Sequence, residues 1–405
     1  MRKLTASVAA FALYANAALA ANIPYINAPL DTVQATVNSA ITSINSGITP
    51  ASMATTPFRN YIDNGEFAIY QRGTAATAGG TTSGCNSTAT GGYSADRWCV
   101  DTNVGSGAGY SQVITSSPSP VVGSAQSLKV YRNSGVLTQP VCAIQEIPTS
   151  EAIDLQGQPV VLSFYAQALA GLAADNGNVI SANIITGTGS DEGLGTVTAS
   201  PAITPAFTGL ATLATANYTL SASAWNRYTL TASVPTSVKE IAVEICFTPT
   251  ATGAGATDGF ALSQVQLEQG TAPSAYEFRP YGVELAKYQR YFYSITEPAT
   301  GIPVANGVLT STTSCALSLP LPQPMRAAPV TAGVTFAGTA LSTSTFRIQD
   351  STTSTLASTF LVFGNGATTT QLGLTATLTT ASTAGWGCQL QGAGGGAIIN
   401  VSTDF

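Results

Sequence analysis

Histidine is absent from all 405 residues. Its absence removes the commonest general base near neutral pH, the usual imidazole metal ligand, and the Ser-His and Cys-His nucleophile pairs. Charge is scarce as well: Asp, Glu, Lys and Arg make up 8% of the chain, against about a quarter of an ordinary soluble domain. The 14 Lys and Arg are dispersed among 20 Asp and Glu, for a net charge of −6. Nucleic acid is therefore not an expected partner, because phosphate binding needs clustered cations. No Cys-x-x-Cys pair occurs, so zinc and thioredoxin chemistry have no support. The N-terminal apolar run is too short to span a bilayer, and no stable membrane span is expected.

What fills the chain instead is Thr, Ser, Ala and Gly, a profile that suits a rigid β-rich protein outside a cytoplasm. The N-terminus reads "MRKLTASVAAFALYANAALAANIPYI". Arg2 and Lys3, an apolar stretch from Leu4 to Tyr14 and Ala18-Leu19-Ala20 have the order of a secretory signal. An uncleaved Ala-rich helix packed in an assembly is the equal alternative. In "LDTVQATVNSAITSINSGI" at 30–48, apolar residues recur at Leu30, Val33, Val37, Ala40, Ile41, Ile44 and Ile48. The period near 3.5 predicts a short helix with one apolar stripe, read as a trimeric stem or as a helix lying on a globular domain. Six cysteines are an even number, and an exported chain would pair them. Neighbourhood suggests Cys85 with Cys99, Cys142 with Cys246 and Cys315 with Cys388. The sequence does not choose among the other pairings, and buried free thiols are the alternative.

From Asn60 to Pro280 the chain is a series of short runs rich in β-branched and aromatic residues, divided by Gly, Pro, Ser and Asn: "SLKVYR", "VVLSFYAQA", "RYTLTASV", "EIAVEICF", "FALSQVQLE". Such runs without intervening helices predict an antiparallel two-sheet sandwich or jelly roll. Phe260, Leu262, Val265 and Leu267 alternate with one slip, which predicts a β-bulge. "AYEFRP" at 275–280 reads as an extended connector, with Tyr276 and Phe278 packing down and Glu277 and Arg279 on the opposite face. The expected organisation is mostly β. An N-terminal signal-like or anchor segment and helical stem fills 1–57, a jelly roll 58–280, a linker helix 281–299 and a C-terminal β-sandwich domain 300–405.

Five segments, "NYIDNGEFAIYQRGT", "YSADRWCV", "VLSFYAQA", "AWNRYTLTASVP" and "GFALSQVQLEQGTAPSAYEFRPYGVELAKYQRYFYS", resemble in order and spacing a recurrent pattern of tailed-phage virion proteins. These are tail-fibre, head-fibre or spike proteins with a carbohydrate-binding-module-like jelly roll. "LPLPQPMRAAPV" at 319–330 is similar to a segment of the distal β domain of the same proteins. The resemblance covers about half the chain. It implies a virion component that binds host-surface glycans, with other virion proteins as partners. The signal-like N-terminus departs from that pattern and leaves a secreted protein as an alternative location.

The resemblance also implies site residues. In such modules the "NGEF" loop and the "TDGF" strand start meet at a structural calcium, here Asp63, Asn64 and Glu66 with Asp258; an ordinary Asp-Asn-Gly turn is the competing reading. No cofactor is required otherwise. Glycan binding needs aromatic faces with fixed polar neighbours. Tyr93 and Tyr110, in Gly- and Ser-rich sequence, are the leading candidates. Trp225 is a third, although it and Trp98 match core positions of the family. The near-absence of charge beyond residue 300 points to burial between subunits, and a homotrimer is expected.

Three functions follow: a non-enzymatic fibre or spike contacting host glycans, a capsid cement protein without host contact, and a glycan-degrading tailspike. Asp191 and Glu192 are the carboxylate pair for the third, but neighbours on a strand point to opposite faces. A non-enzymatic protein is the leading expectation.

Overall fold

The computed structural model describes residues 58–77, 92–102, 109–116, 118–132, 138–194, 205–250, 258–296, 301–330, 334–337, 346–350, 354–362, 367–392 and 398–403. The N-terminal signal-like segment and stem helix, and Cys85, lie outside them.

The sandwich is formed by β1 (Ala75–Thr77), β2 (Cys99–Thr102), β3 (Gly109–Ile114), β4 (Ser127–Arg132), β5 (Val141–Ile147), β6 (Pro159–Ala168), β7 (Val179–Gly187), β8 (Ala211–Thr219), β9 (Asn226–Ser233), β10 (Glu240–Phe247) and β11 (Gly259–Gln269). Two short helical turns, α1 (Thr149–Ala152) and α2 (Leu172–Asn176), interrupt them. One sheet runs β1-β3-β4-β11-β6-β9 and the other β2-β5-β10-β7-β8, with antiparallel pairing throughout. Alternation along "SLKVYR" sends Leu128 and Val130 into the core and leaves Lys129 and Tyr131 on the outer face. The core between the sheets holds Phe67, Trp98, Phe164, Phe247 and Phe260, all fully buried. Each such side chain contributes about 1.5–3 kcal/mol relative to exposure.

The predicted bulge is present in β11: the register with β6 shifts between Ser263 and Gln266, and Gln264 takes a φ of 50°. Into this bulge fits the turn at Asn64-Gly65. The Val265 N–H donates to the Gly65 carbonyl at 2.9 Å, and a Cβ on Gly65 would lie 2.1 Å from the Val265 oxygen. Only glycine allows that approach.

After β11 comes α3 (Tyr281–Tyr288), with Glu284 in its first turn and Lys287 in its last, as the helix dipole favours. The helix starts at the position expected for the 281–299 linker helix but ends at Tyr288, and residues 292–296 are a strand instead. Beyond it, β12 (Phe292–Thr296), β13 (Pro303–Ser311), β14 (Ser314–Pro320), β15 (Val334–Ala337), β16 (Phe346–Gln349), β17 (Ser354–Val362), β18 (Gln371–Leu378), β19 (Gly387–Gly392) and β20 (Ile398–Ser402) form the C-terminal region. The expected β class holds, but in place of a second sandwich the order β13-β14-β18-β17-β16-β19 closes into a barrel, flanked by a three-stranded sheet β12-β20-β15. Closure removes the edge strands that a nearly uncharged surface would otherwise leave open to pairing. Leu309, Leu317, Leu372, Leu374, Leu390 and Phe346 fill its core.

Two expected disulfides are present. Cys142–Cys246 joins directly opposed residues of β5 and β10. Cys315–Cys388 links β14 and β19, the two neighbours of β13 in the barrel. Cys99 is also disulfide-bonded.

Candidate functional site

Three of the segments that carry the sequence resemblance, 60–74, 93–100 and 259–294, meet in one buried polar network beside α3. Asp63, 2% exposed, receives Lys287 Nζ at 2.5 Å and Arg97 Nε at 3.4 Å. Its carbonyl accepts from Trp98 Nε1 at 3.1 Å and Gln145 Nε2 at 2.8 Å. Burial pushes the Asp63 carboxyl up, but Lys287 and Arg97 outweigh it and hold the group below its ordinary value. Lys287 also reaches Glu151 at 3.0 Å, and the Arg97 guanidinium lies 3.8 Å above the Tyr291 ring. Asn64, at a φ of 51°, donates to the carbonyls of Ile69 and Asp96. Gln71 bonds the Asp96 carboxylate at 2.6 Å.

The connector at 275–280 completes the network; Tyr276 packs inward beside the Gly65 turn as the sequence reading expects, but Glu277 and Phe278 are exchanged relative to it. Glu277 is buried, and Phe278 is 51% exposed. The carboxylate turns inward because it accepts the backbone N–H groups of Phe58 and Asn60, which otherwise have no strand partner. Arg279 bridges Glu277 at 3.3 Å and Glu284 at 2.9 Å.

The calcium set does not assemble. Asp63 is engaged as above. Asp258 pairs with Arg132 Nε at 2.5 Å, and Arg132, fully buried, also reaches Asp175 at 3.3 Å. Glu66 is half-buried, its carboxyl pushed up by burial and by Glu284. Among the described residues the one group of three metal-ligating side chains is Cys142, Glu244 and Cys246, and its two sulfurs are bonded to each other. Guanidinium and ammonium groups balance Asp63 and Asp258, two of the carboxylates that the resemblance assigned to calcium.

Of the aromatic candidates, Tyr93 is corrected: it is 6% exposed, with the Arg72 guanidinium 4.5 Å above its ring. Trp98 is buried, as its core position predicts. Trp225 is half-buried, its indole N–H donating to the Ser119 carbonyl at 2.8 Å. Tyr110 is half-buried on the outer face of the six-stranded sheet. Directly opposite it stands Tyr131, the rings stacked at 5.4 Å with 17° between planes, and Lys129 Nζ lies 4.1 Å from the Tyr131 ring. The next row along the face is Gln112, Lys129, Ala261 and Gln167, and the next Ser263, Tyr165 and Arg227. Arg227 is fixed by Ser163 Oγ at 2.9 Å and the Ser274 carbonyl at 2.5 Å. The rings, amides and two cations of this face are half-buried and form a shallow platform, while Ala261 and Ser263 on β11 between them are fully buried. The sequence reading names Tyr110 and Trp225 as candidates and does not name Tyr131, Gln112, Gln167, Tyr165 or Arg227. Their alternation is visible, but which strands lie side by side is not.

The outer face of the five-stranded sheet is closed. Leu194 and Phe207 pack on it, and Glu146, Glu240 and Glu244 lie buried there. Burial pushes Glu146 up to about 9, with Arg97 opposing, and Glu240 up to about 7. Asn183 donates to Glu244 at 2.7 Å. The Asp191–Glu192 pair fastens loops: Asp191 accepts the Thr149 N–H at 3.1 Å, and Glu192 accepts the N–H and hydroxyl of Thr208.

No protein-family model and no curated protein sequence matches the chain. Among solved structures it is similar to a CBM22 xylan-binding domain from Paenibacillus barcinonensis, with 17% identity over 43% of this chain and 92% of that one, at a TM-score of 0.27. A CBM4 structure aligns at 14% identity over 52% and 99%, with a TM-score of 0.27. The enzymatically active domain of bacteriophage CBA120 tailspike protein 4 aligns at 13% over 53% of this chain and 22% of that one, with a TM-score of 0.29. TM-scores of this size do not carry an assignment of family or activity.

Proposed function

We propose that this protein is a non-catalytic glycan-binding component of a tailed-phage particle, a fibre or spike built as a homotrimer that contacts host-surface polysaccharide. The observation that carries the glycan reading is the platform on the six-stranded sheet. Tyr110 and Tyr131 offer ring surface for the apolar faces of sugars, while Gln112, Gln167 and Arg227 are set at fixed strand spacing to bond hydroxyls. A virion location is supported by the five sequence segments, three of which (60–74, 93–100 and 259–294) supply residues to the network around Asp63 and Glu277. Disulfides at Cys142–Cys246 and Cys315–Cys388 suit an oxidising extracellular setting.

A capsid-cement role is the second reading. It is favoured by Ile302, Val308, Val330 and Trp386, exposed apolar side chains in the sparsely charged C-terminal region. Retention on a panel of immobilised bacterial surface polysaccharides separates the two. Glycan binding predicts retention by at least one polymer, weakened about tenfold in Tyr110→Ala and Trp225→Ala, with polymer length unchanged after incubation. Retention by none would leave the cement role, and shortened polymer would make the protein a depolymerase.

A further inference from the structure

Beside α3 the surface opens into a recess of about 260 Å³ that the sheet platform does not include. Phe58 and Tyr61 supply rings to its wall, and Glu151, Asp154 and Glu284 supply carboxylates opposite Arg279 and Lys287. Both cations are already claimed twice. Lys287 lies between Asp63 and Glu151, and Arg279 lies between Glu277 and Glu284. Asp154 is exposed on the turn that follows α1, and no hydrogen bond or ion pair from the described residues engages its carboxylate. The wall therefore has an uncompensated negative charge beside an aromatic ring. Asp154 and Glu151 both act on Tyr61, where with burial they push the phenol up, so the negative field reaches the ring itself.

This charge pattern selects the occupant. An anion would meet Asp154 and Glu151 with no unengaged cation to receive it. A bare divalent ion needs several oxygens converging on one point, and no three carboxylates converge in this recess among the described residues. An organic ammonium fits both features: it donates several hydrogen bonds to carboxylates and is attracted to an aromatic face. We propose that this recess binds a primary ammonium carried on a small polar ligand, seated between Asp154 and the Tyr61 ring. Two sources carry that chemistry at this size, a 2-amino sugar and a lysine side chain.

The test uses the full chain at fixed ionic strength. Glucosamine, N-acetylglucosamine and Nα-acetyl-lysinamide are titrated separately and read by calorimetry or ligand-observed NMR. At least one of the two amines is expected to bind, and the acetylated sugar, which has the same ring without the charge, is not. Asp154→Asn should weaken the amine about tenfold, the effect of removing one charge-assisted hydrogen bond. Asp154 is exposed, so folding is not at stake, and Tyr110→Ala should leave amine binding unchanged, which separates this site from the platform. Binding of glucosamine alone assigns a glycan source, and binding of the lysine amide alone a peptide source. Equal binding of the acetylated sugar, no binding of either amine, or an unchanged affinity in Asp154→Asn would overturn the proposal.

Discussion

Asp63, Arg97, Arg132, Asp175, Glu146, Glu240, Glu244 and Asp258 are all buried in the sandwich or against its faces. In the barrel and its flanking sheet, Asp350 is the one buried charged side chain among the described residues. Both regions are antiparallel, and each has a disulfide between strands distant in sequence. The sandwich has two open sheets with long loops at their ends, and paired charges fix how those loops meet the core. The barrel has no edges to manage and almost no charges to place. Buried ion pairs contribute little net stability compared with apolar packing of the same shape, but removing one partner is costly. The sandwich should therefore be the region more easily broken by a single charge change, and the barrel the region more easily broken at its covalent staple.

The largest effect is expected at Arg132. Replacing it with Met leaves Asp258 and Asp175 buried against each other, at a cost of about 3–5 kcal/mol. Calorimetry should show the sandwich transition falling steeply while the barrel transition stays in place. Next comes the barrel staple. Cys315→Ser with Cys388→Ser opens a link across 73 residues, which should destabilise the barrel by about 2–4 kcal/mol and leave the sandwich transition where it is.

A pH series sharpens the contrast. Glu146 and Glu240 keep their protons to about 9 and about 7 when folded. The unfolded chain releases them near the ordinary glutamate value, so the folded state binds more protons in between. The sandwich should lose stability as pH rises from the ordinary value through 7 and on to 9, and Glu146→Gln should flatten the upper part of that loss. Asp63 works in the opposite sense: its lowered value adds stability that disappears as pH falls below the ordinary aspartate range. Residues 301–405 contain only Arg326, Arg347, Asp350 and Asp404 as charges, and the barrel transition should barely move across the neutral range. The smallest effect belongs to Trp386→Ser in the barrel. The side chain is 39% exposed, and its loss should change stability by less than about 0.5 kcal/mol. A larger shift measured only at high protein concentration would place Trp386 in a subunit contact.

Local chemistry is legible in the sequence and long-range pairing is not. The bulge at Gln264 appears as a slip in the alternation of "FALSQVQLE", and α3 appears between Pro280 and the aromatic run that follows. Glu277 and Phe278 show the limit: alternation says that they face opposite ways, but not which faces in. That is decided by the N–H groups of Phe58 and Asn60, more than 200 residues earlier. Arg132 ends an ordinary strand in the sequence, and only the fold reveals that Asp175 and Asp258 close around it. Closure of the barrel is equally hidden, because its strand order β13-β14-β18-β17-β16-β19 is not the order of the chain.

The contact of Glu277 with Phe58 and Asn60 has a mechanical consequence. The chain enters the sandwich at Phe58 and leaves it through Arg279, and these two points are fastened to each other by one carboxylate and by the Arg279 guanidinium on the Asn60 carbonyl. Tension applied between a residue before Phe58 and the barrel would pass through this clasp and bypass the eleven strands threaded between its ends. The sandwich would hang beside the line of force as a side-mounted module, free to hold a ligand while the chain is pulled.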